Sequence, residues 1–218
     1  MSIITAAKEA RSSQRHTRAC IFFAWGISFG VSVVAFVAWG AYYGWRFSSL
    51  NAYQFFPLLG LLAYSLMWSH YIAGVMRELL GLDKKILARY FEVTSFAVLA
   101  LICLHPGLLI YQRFRDGFGL PPHSYESYVR PGLGWVTLLG TASLLVFLAY
   151  EFHRKFGRQP WWHYVQTATD VAMLAIFYHG LRLGSQLQHG WFRYVWWFYG
   201  LSLLAVLVRT YAKKYAAR

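Results

Sequence analysis

Acidic residues are scarce in this 218-residue chain: 8 Asp and Glu stand against 21 Lys and Arg, and charged residues of both signs make up only 13%. A water-soluble domain has about a quarter of its residues charged, so an ordinary soluble enzyme is excluded. A disordered tail is excluded as well, because 58% of the residues are hydrophobic. Cysteine is nearly absent. Cys20 and Cys103 both lie in apolar runs, with no Cys or His nearby at metal-site spacing. That excludes a disulfide scaffold or a zinc motif and marks both as buried small hydrophobes. No G-x-G-x-x-G follows a strand-like run, so a dinucleotide-binding fingerprint is missing. No internal repeat or low-complexity linker is visible.

What is present is apolar and aromatic, with 20% Phe, Trp and Tyr. A run from Cys20 to about Trp45 is too long for a signal-peptide core. Further runs follow at about 54–76, 93–112, 133–151, 161–184 and 191–211, each long enough to cross roughly 30 Å of hydrocarbon as a helix. The expected fold is an all-α, polytopic six-helix membrane bundle over 20–211, with a polar N-terminal tail over 1–19 and a C-terminal tail over 212–218. Six spans leave no room for a second, water-soluble catalytic domain. Lys and Arg divide 15 to 6 between the tails and even loops on one side and the odd loops on the other. By the positive-inside rule both termini are cytoplasmic. Topogenic charge and anionic lipid account for the +13 without nucleic acid. Trp39, Trp45, Trp135, Trp161, Trp162 and Trp191 fall at span ends, as in an interfacial belt.

Four of the eight histidines, His16, His123, His153 and His189, fall in tails or loops or just past a span. His70, His105, His163 and His179 lie in or near the hydrocarbon, where an ionisable side chain is costly unless it faces the interior and finds a partner. His105 lies about 12 residues, roughly 18 Å, from the cytoplasmic start of span three, and His179 about 18 residues, some 27 Å, from that of span five. Both are in the outer half. Two neutral imidazoles from parallel helices at similar depth can clamp one haem iron; a pair of satisfied core histidines is the alternative. No C-x-x-C-H occurs, so a haem here is non-covalent. Pro106 and Gly107 follow His105, and Gly180 and Gly184 follow His179; small residues let a helix approach a flat macrocycle. Arg182, one turn beyond His179, either meets a propionate or snorkels to the interface.

The stretch Gly81–Ile110, GLDKKILARYFEVTSFAVLALICLHPGLLI, and the stretch Phe177–Leu187, FYHGLRLGSQL, resemble the ferric reductase-like transmembrane domain. That superfamily includes ferric reductases, NADPH oxidases and the haem subunits of bacterial methionine sulfoxide reductase systems. The resemblance implies that His105 and His179 are the axial pair of a haem b. Two-haem members have a second histidine 13 or 14 residues before each of these. Here those positions are Phe91 or Glu92 and Val165 or Gln166, so one haem is expected.

His163, 16 residues before His179, points about 160° away around the helix. His70 could meet His153 or His163 at an inner site, or be a hydrogen-bonded interhelical histidine. Asp170 shares the face of His163 and either relays protons, for example from a quinol, or pairs with a neighbouring helix. Arg89 and Glu92 are read as solvated. The resulting expectation is a cytochrome b of the bacterial cytoplasmic membrane, an oxidoreductase subunit without its own flavin domain. Its electrons come from a separate flavoprotein with FAD, from reduced flavin or from quinol, and leave for ferric iron, oxygen or an extracytoplasmic partner. The rivals are a haem-free anchor or assembly subunit, and a proton pathway through His70, His163 and Asp170.

Overall fold

The structure, a computed structural model, describes residues 3–47, 50–152 and 156–216, with the side chains of 3–13 and of Glu126 outside that description. His153, a sequence candidate for an inner ligand, lies outside the described residues. The described residues form six long helices and no strand: α1 (Ile3–Tyr42), α2 (Ala52–Leu79), α3 (Ala88–Arg115), α4 (Gly134–Tyr150), α5 (Trp162–Leu183) and α6 (Phe192–Ala216).

Four of these, α1, α2, α3 and α6, are long and apolar enough to cross a membrane, as in an integral membrane protein. The other two fall short for separate reasons. Helix α4 is strongly apolar but has only 17 residues, about 26 Å at 1.5 Å per residue. Helix α5 has 22 residues but includes His163, Gln166, Asp170, His179 and Arg182 among them.

Two corrections concern the ends of the spans. The basic segment expected as a tail is helical from Ile3 and continuous with α1. Helix α3 begins at Ala88, after a 3-10 turn over Lys84–Leu87 that Asp83 caps through the Lys85 amide (2.7 Å). That is five residues before the apolar run at 93 suggested. Residues 88–92 contain Arg89 and Glu92, which pair at 3.1 Å on the exposed surface, and this polarity hid the first turn.

Local signals set the other boundaries. Asn51 and Gln54 form a reciprocal capping box at the start of α2, each bond 3.1 Å. Gly81, with φ +64°, closes α2, and the Leu82 amide reaches the Arg77 carbonyl at 3.1 Å. Gly117, φ +85°, does the same for α3, with the Phe118 amide on the Arg113 carbonyl at 3.0 Å.

Helix α2 is the central element. Tyr64, Ser65 and Ser69 on it are fully buried. Small residues Cys20, Ala24, Ser28 and Ala35 give α1 a close-packing face, and the Ser28 hydroxyl meets Ser69 and Tyr90, both at 2.8 Å, tying α1 to α2 and α3. On the other side Tyr64 packs on Trp196 and Trp68 on Tyr199, each with centroids 4.4 Å apart, and the Trp68 indole donates to Ser202 at 2.9 Å. The tryptophan belt divides accordingly. Trp45, Trp135, Trp161 and Trp191 are exposed, whereas Trp39 and Trp162 are buried; the Trp39 indole donates to the Gln54 carbonyl at 2.7 Å, fastening α1 to α2. Cys20 is buried, but Cys103 faces outward from the bundle, against expectation.

Candidate functional site

His105 and His179 occupy equivalent places. Each stands 17 residues after the first residue of its helix, about 26 Å along the axis. The shorter count to His105 inferred from sequence came from the late start assigned to α3. Both rings line one cavity of about 530 Å³, within the range of small-molecule and cofactor pockets.

The two imidazoles are also held in the same manner. His105 Nδ1 lies 2.7 Å from the Phe56 carbonyl on α2, and His179 Nδ1 lies 2.9 Å from the Val136 carbonyl on α4. A carbonyl only accepts, so each Nδ1 is the protonated nitrogen and each Nε2 keeps its lone pair. Four residues beyond each carbonyl is a glycine. A Cβ on Gly60 would fall 2.8 Å from His105 Cε1, and one on Gly140 2.6 Å from His179 Cε1. The cause is helical geometry: the amide of residue i+4 already donates to carbonyl i, so a ring reaching the same oxygen must cross position i+4. Only glycine leaves room there.

These partners were missed in the sequence, where their signal is weak. The segments Phe56-Pro-Leu-Leu-Gly60 and Val136-Thr-Leu-Leu-Gly140 are alike, but Leu-Leu-Gly also occurs at 79–81, at the end of α2. Of the glycines expected beside a macrocycle, Gly180 lines the cavity with Trp196 packed 2.6 Å from its Cβ position, Gly184 lines it too, and Gly107 faces open space.

The rest of the lining is mainly apolar, with polar groups at particular points. The Tyr64 hydroxyl and the Thr137 hydroxyl are buried against this cavity without a hydrogen-bond partner among the described residues, which marks it as a place for a ligand with polar atoms. Arg182 and Arg130 line it with exposed side chains. Sequence reasoning chose Arg182 and missed Arg130, which lies in a loop with no helical register.

That loop is pinned over the cavity by Arg113. Its buried guanidinium sits 3.4 Å over the Phe118 ring, donates from Nε to the Ser124 carbonyl at 3.2 Å, and also bonds the Ser127 hydroxyl. Tyr53 stacks on Tyr128 and donates to Asp116 at 2.7 Å. Together with Gln112, that bond holds the Asp116 carboxyl below the usual carboxylate range.

The remaining candidates gather elsewhere. His70, His163 and Asp170 line a second cavity of about 1460 Å³, beside the first halves of α3 and α5. His70 Nε2 is 2.6 Å from Thr94 Oγ1, whose own proton goes to the Tyr90 carbonyl at 2.7 Å. His70 is therefore the donor, its Nε2 is committed, and it is a bonded interhelical histidine. His163 Nδ1 meets the Pro160 carbonyl at 2.6 Å. Asp170 accepts from the Tyr71 and Tyr211 hydroxyls, both at 2.8 Å. Among the described residues no three His, Cys, Asp or Glu side chains converge as a metal site.

No family model, no curated protein and no solved structure matches the chain. The functional reading rests on the site itself.

Proposed function

We propose that this chain is a membrane b-type cytochrome, with one non-covalent haem b in the first cavity and His105 and His179 as its axial ligands. Six helices cross the bacterial cytoplasmic membrane with both termini inside, and electrons pass outward from a cytoplasmic-side donor or quinol to an extracytoplasmic acceptor. The observation that carries this reading is the matched pair of imidazoles. Each has Nδ1 donated to a backbone carbonyl and Nε2 free, on opposite hairpins around one cavity. Metal-bound histidines are oriented in this way, by a second bond that fixes the tautomer and raises basicity.

A haem b held by His105 and His179 would supply a one-electron carrier whose potential follows its ligands and surroundings. The chain's own residues do the rest. Gly60 and Gly140 admit the rings, the carbonyls of Phe56 and Val136 hold them, and the apolar walls exclude water. Arg130 and Arg182 offer positive charge to carboxylates at the loop side.

The reading is tested by a dithionite-reduced minus oxidised spectrum of the purified chain, with haem counted as pyridine haemochrome. About one b haem per chain is expected. Two would overturn the single-site assignment. None, after expression with ample haem, would leave the haem-free anchor. In the double variant Arg130→Leu with Arg182→Leu, loss of haem on dilution should rise about tenfold, since one charge-assisted hydrogen bond is worth roughly 1.5–3 kcal/mol. An unchanged loss rate would return both arginines to the interface.

A further inference from the structure

The second cavity changes character along its length. Its inner part, around Met67, Val98, Ile102 and Phe147, is apolar. Its mouth lies where α2, α4 and α6 end and α3 and α5 begin, and there it is lined by the charged side chains of Arg77, Glu78, Arg89, Glu92, Glu151 and Lys214.

Most of these charges are already matched. Arg89 pairs with Glu92 at 3.1 Å, and Glu78 holds Arg209 at 3.4 Å as well as Lys213. Asp170, about two turns into α5, accepts from Tyr71 and Tyr211, and Glu151 stands exposed on the α4 side. Among the described residues, Arg77 and Lys214 are the lining cations that no carboxylate holds. Arg77 is half-buried, and its Nε is shut off from solvent without a hydrogen-bond partner. An untied guanidinium in such a place suits an anion with several acceptor oxygens, and phosphate matches its fork.

Sideways, the cavity is open to the membrane. Helix α3 packs on α2 and α5 packs on α4, but α3 and α5 hardly touch each other. Val93 and Phe96 line the cavity from α3, and 39% and 75% of their surfaces are exposed on the outside of the bundle. At about 1460 Å³ the space exceeds an ordinary small-molecule pocket. A cationic mouth at the helix ends, an apolar interior and a lateral opening together have the form of a phospholipid, headgroup outermost.

We propose that the second cavity is a site for one anionic phospholipid, its phosphate on Arg77 and Lys214 and one acyl chain between α3 and α5. Free phosphate shares the headgroup chemistry but leaves the apolar interior unfilled. The proposal does not depend on haem in the first cavity.

The test is native mass spectrometry of the full chain purified in detergent, with phosphatidylglycerol or phosphatidylcholine added. One phosphatidylglycerol per chain should be retained at about tenfold lower lipid concentration than phosphatidylcholine requires, because choline cancels the phosphate charge that the two cations seek. Arg77→Gln should weaken retention about tenfold or more, the worth of one charge-assisted hydrogen bond. Gln166→Trp, at an exposed position of the cavity wall, fills the mouth without touching a cation and should do the same. Arg158→Gln removes an exposed cation that does not line the cavity and should leave retention unchanged. The His105→Ala, His179→Ala double variant should retain the lipid as the wild type does, which separates this site from haem binding. Circular dichroism shows that each variant is folded; if Arg77→Gln is not, Lys214→Gln, at an exposed position, takes its place. Equal retention of the two lipids would overturn the proposal, as would undiminished retention in both the cation and the Gln166→Trp variants. A loss in Arg158→Gln as large as in Arg77→Gln would assign the lipid to surface charge at large, and displacement of phosphatidylglycerol by excess inorganic phosphate would assign the site to a free anion; either result overturns it.

Discussion

Replacing His105 or His179 with alanine is expected to take the bound haem from about one per chain to none. Each ring supplies one free Nε2 to a single cavity, and no third His, Cys, Asp or Glu converges there among the described residues. A single loss leaves one imidazole and a hole of ring size on the opposite side. The comparison that gives the result its meaning is His70→Ala. His70 is also a membrane-level histidine on a central helix, but its Nε2 is bonded to Thr94 in the other cavity. That variant should keep its haem while losing an interhelical bond. The measurement is pyridine haemochrome per polypeptide, with helix content by circular dichroism to show that each variant is folded. Haem retained in both His105→Ala and His179→Ala would remove the assignment, and loss in all three would point to damaged packing.

The histidines were legible in the sequence because an ionisable group among apolar residues is conspicuous, whereas the parts that hold them were not. Their acceptors are backbone carbonyls, which have no residue-type signature, and their neighbours Gly60 and Gly140 look like ordinary glycines of membrane helices. Leu-Leu-Gly stands at both 58–60 and 138–140, but it also stands at 79–81, where it ends α2, so the tripeptide alone does not mark α2 and α4 as playing the same part. The count of residues from the start of α3 to His105 fell short for a related reason. Hydropathy reports where the chain turns apolar, and α3 passes through a polar turn, Ala88–Glu92, before it does. Four of the six tryptophans at span ends are exposed and two are buried, because a tryptophan at a helix end serves equally well as an interface anchor or as a strut. The indole bond from Trp39 to the Gln54 carbonyl made it a strut. Arg89 with Glu92 and the Glu78 carboxylate with Arg209 and Lys213 form surface pairs, as charges near span ends commonly do.

Gly60→Ala and Gly140→Ala should each weaken haem retention about 10–100-fold, the usual cost of disturbing a group that orients a metal ligand. The added methyl would lie 2.8 Å from Cε1 and 2.9 Å from Nδ1 of His105 in the first case, and 2.6 and 2.7 Å from the same atoms of His179 in the second. The atoms struck belong to a rigid ring already drawn to a carbonyl, so relief comes only by moving the imidazole off that carbonyl and turning its Nε2 out of line. Helix stability works in the opposite direction. Alanine favours a helix by about 1 kcal/mol over glycine, so the haem-free form of each variant should unfold no more readily than the haem-free wild type once the ring has swung aside. Loss of haem without loss of fold is thus the signature of a positioning glycine. Gly107→Ala is the matching control: it lies two residues from His105 on the same helix, and nothing stands within 4 Å of its Cβ position. Haem content should stay at the wild-type level there. Should Gly107→Ala lose haem as readily as Gly60→Ala, the effect would belong to α3 as a whole and the ring-on-glycine contact would have no special role. Should Gly60→Ala and Gly140→Ala both hold haem at wild-type strength, the imidazoles do not need these carbonyls, and the tautomer is set by something else.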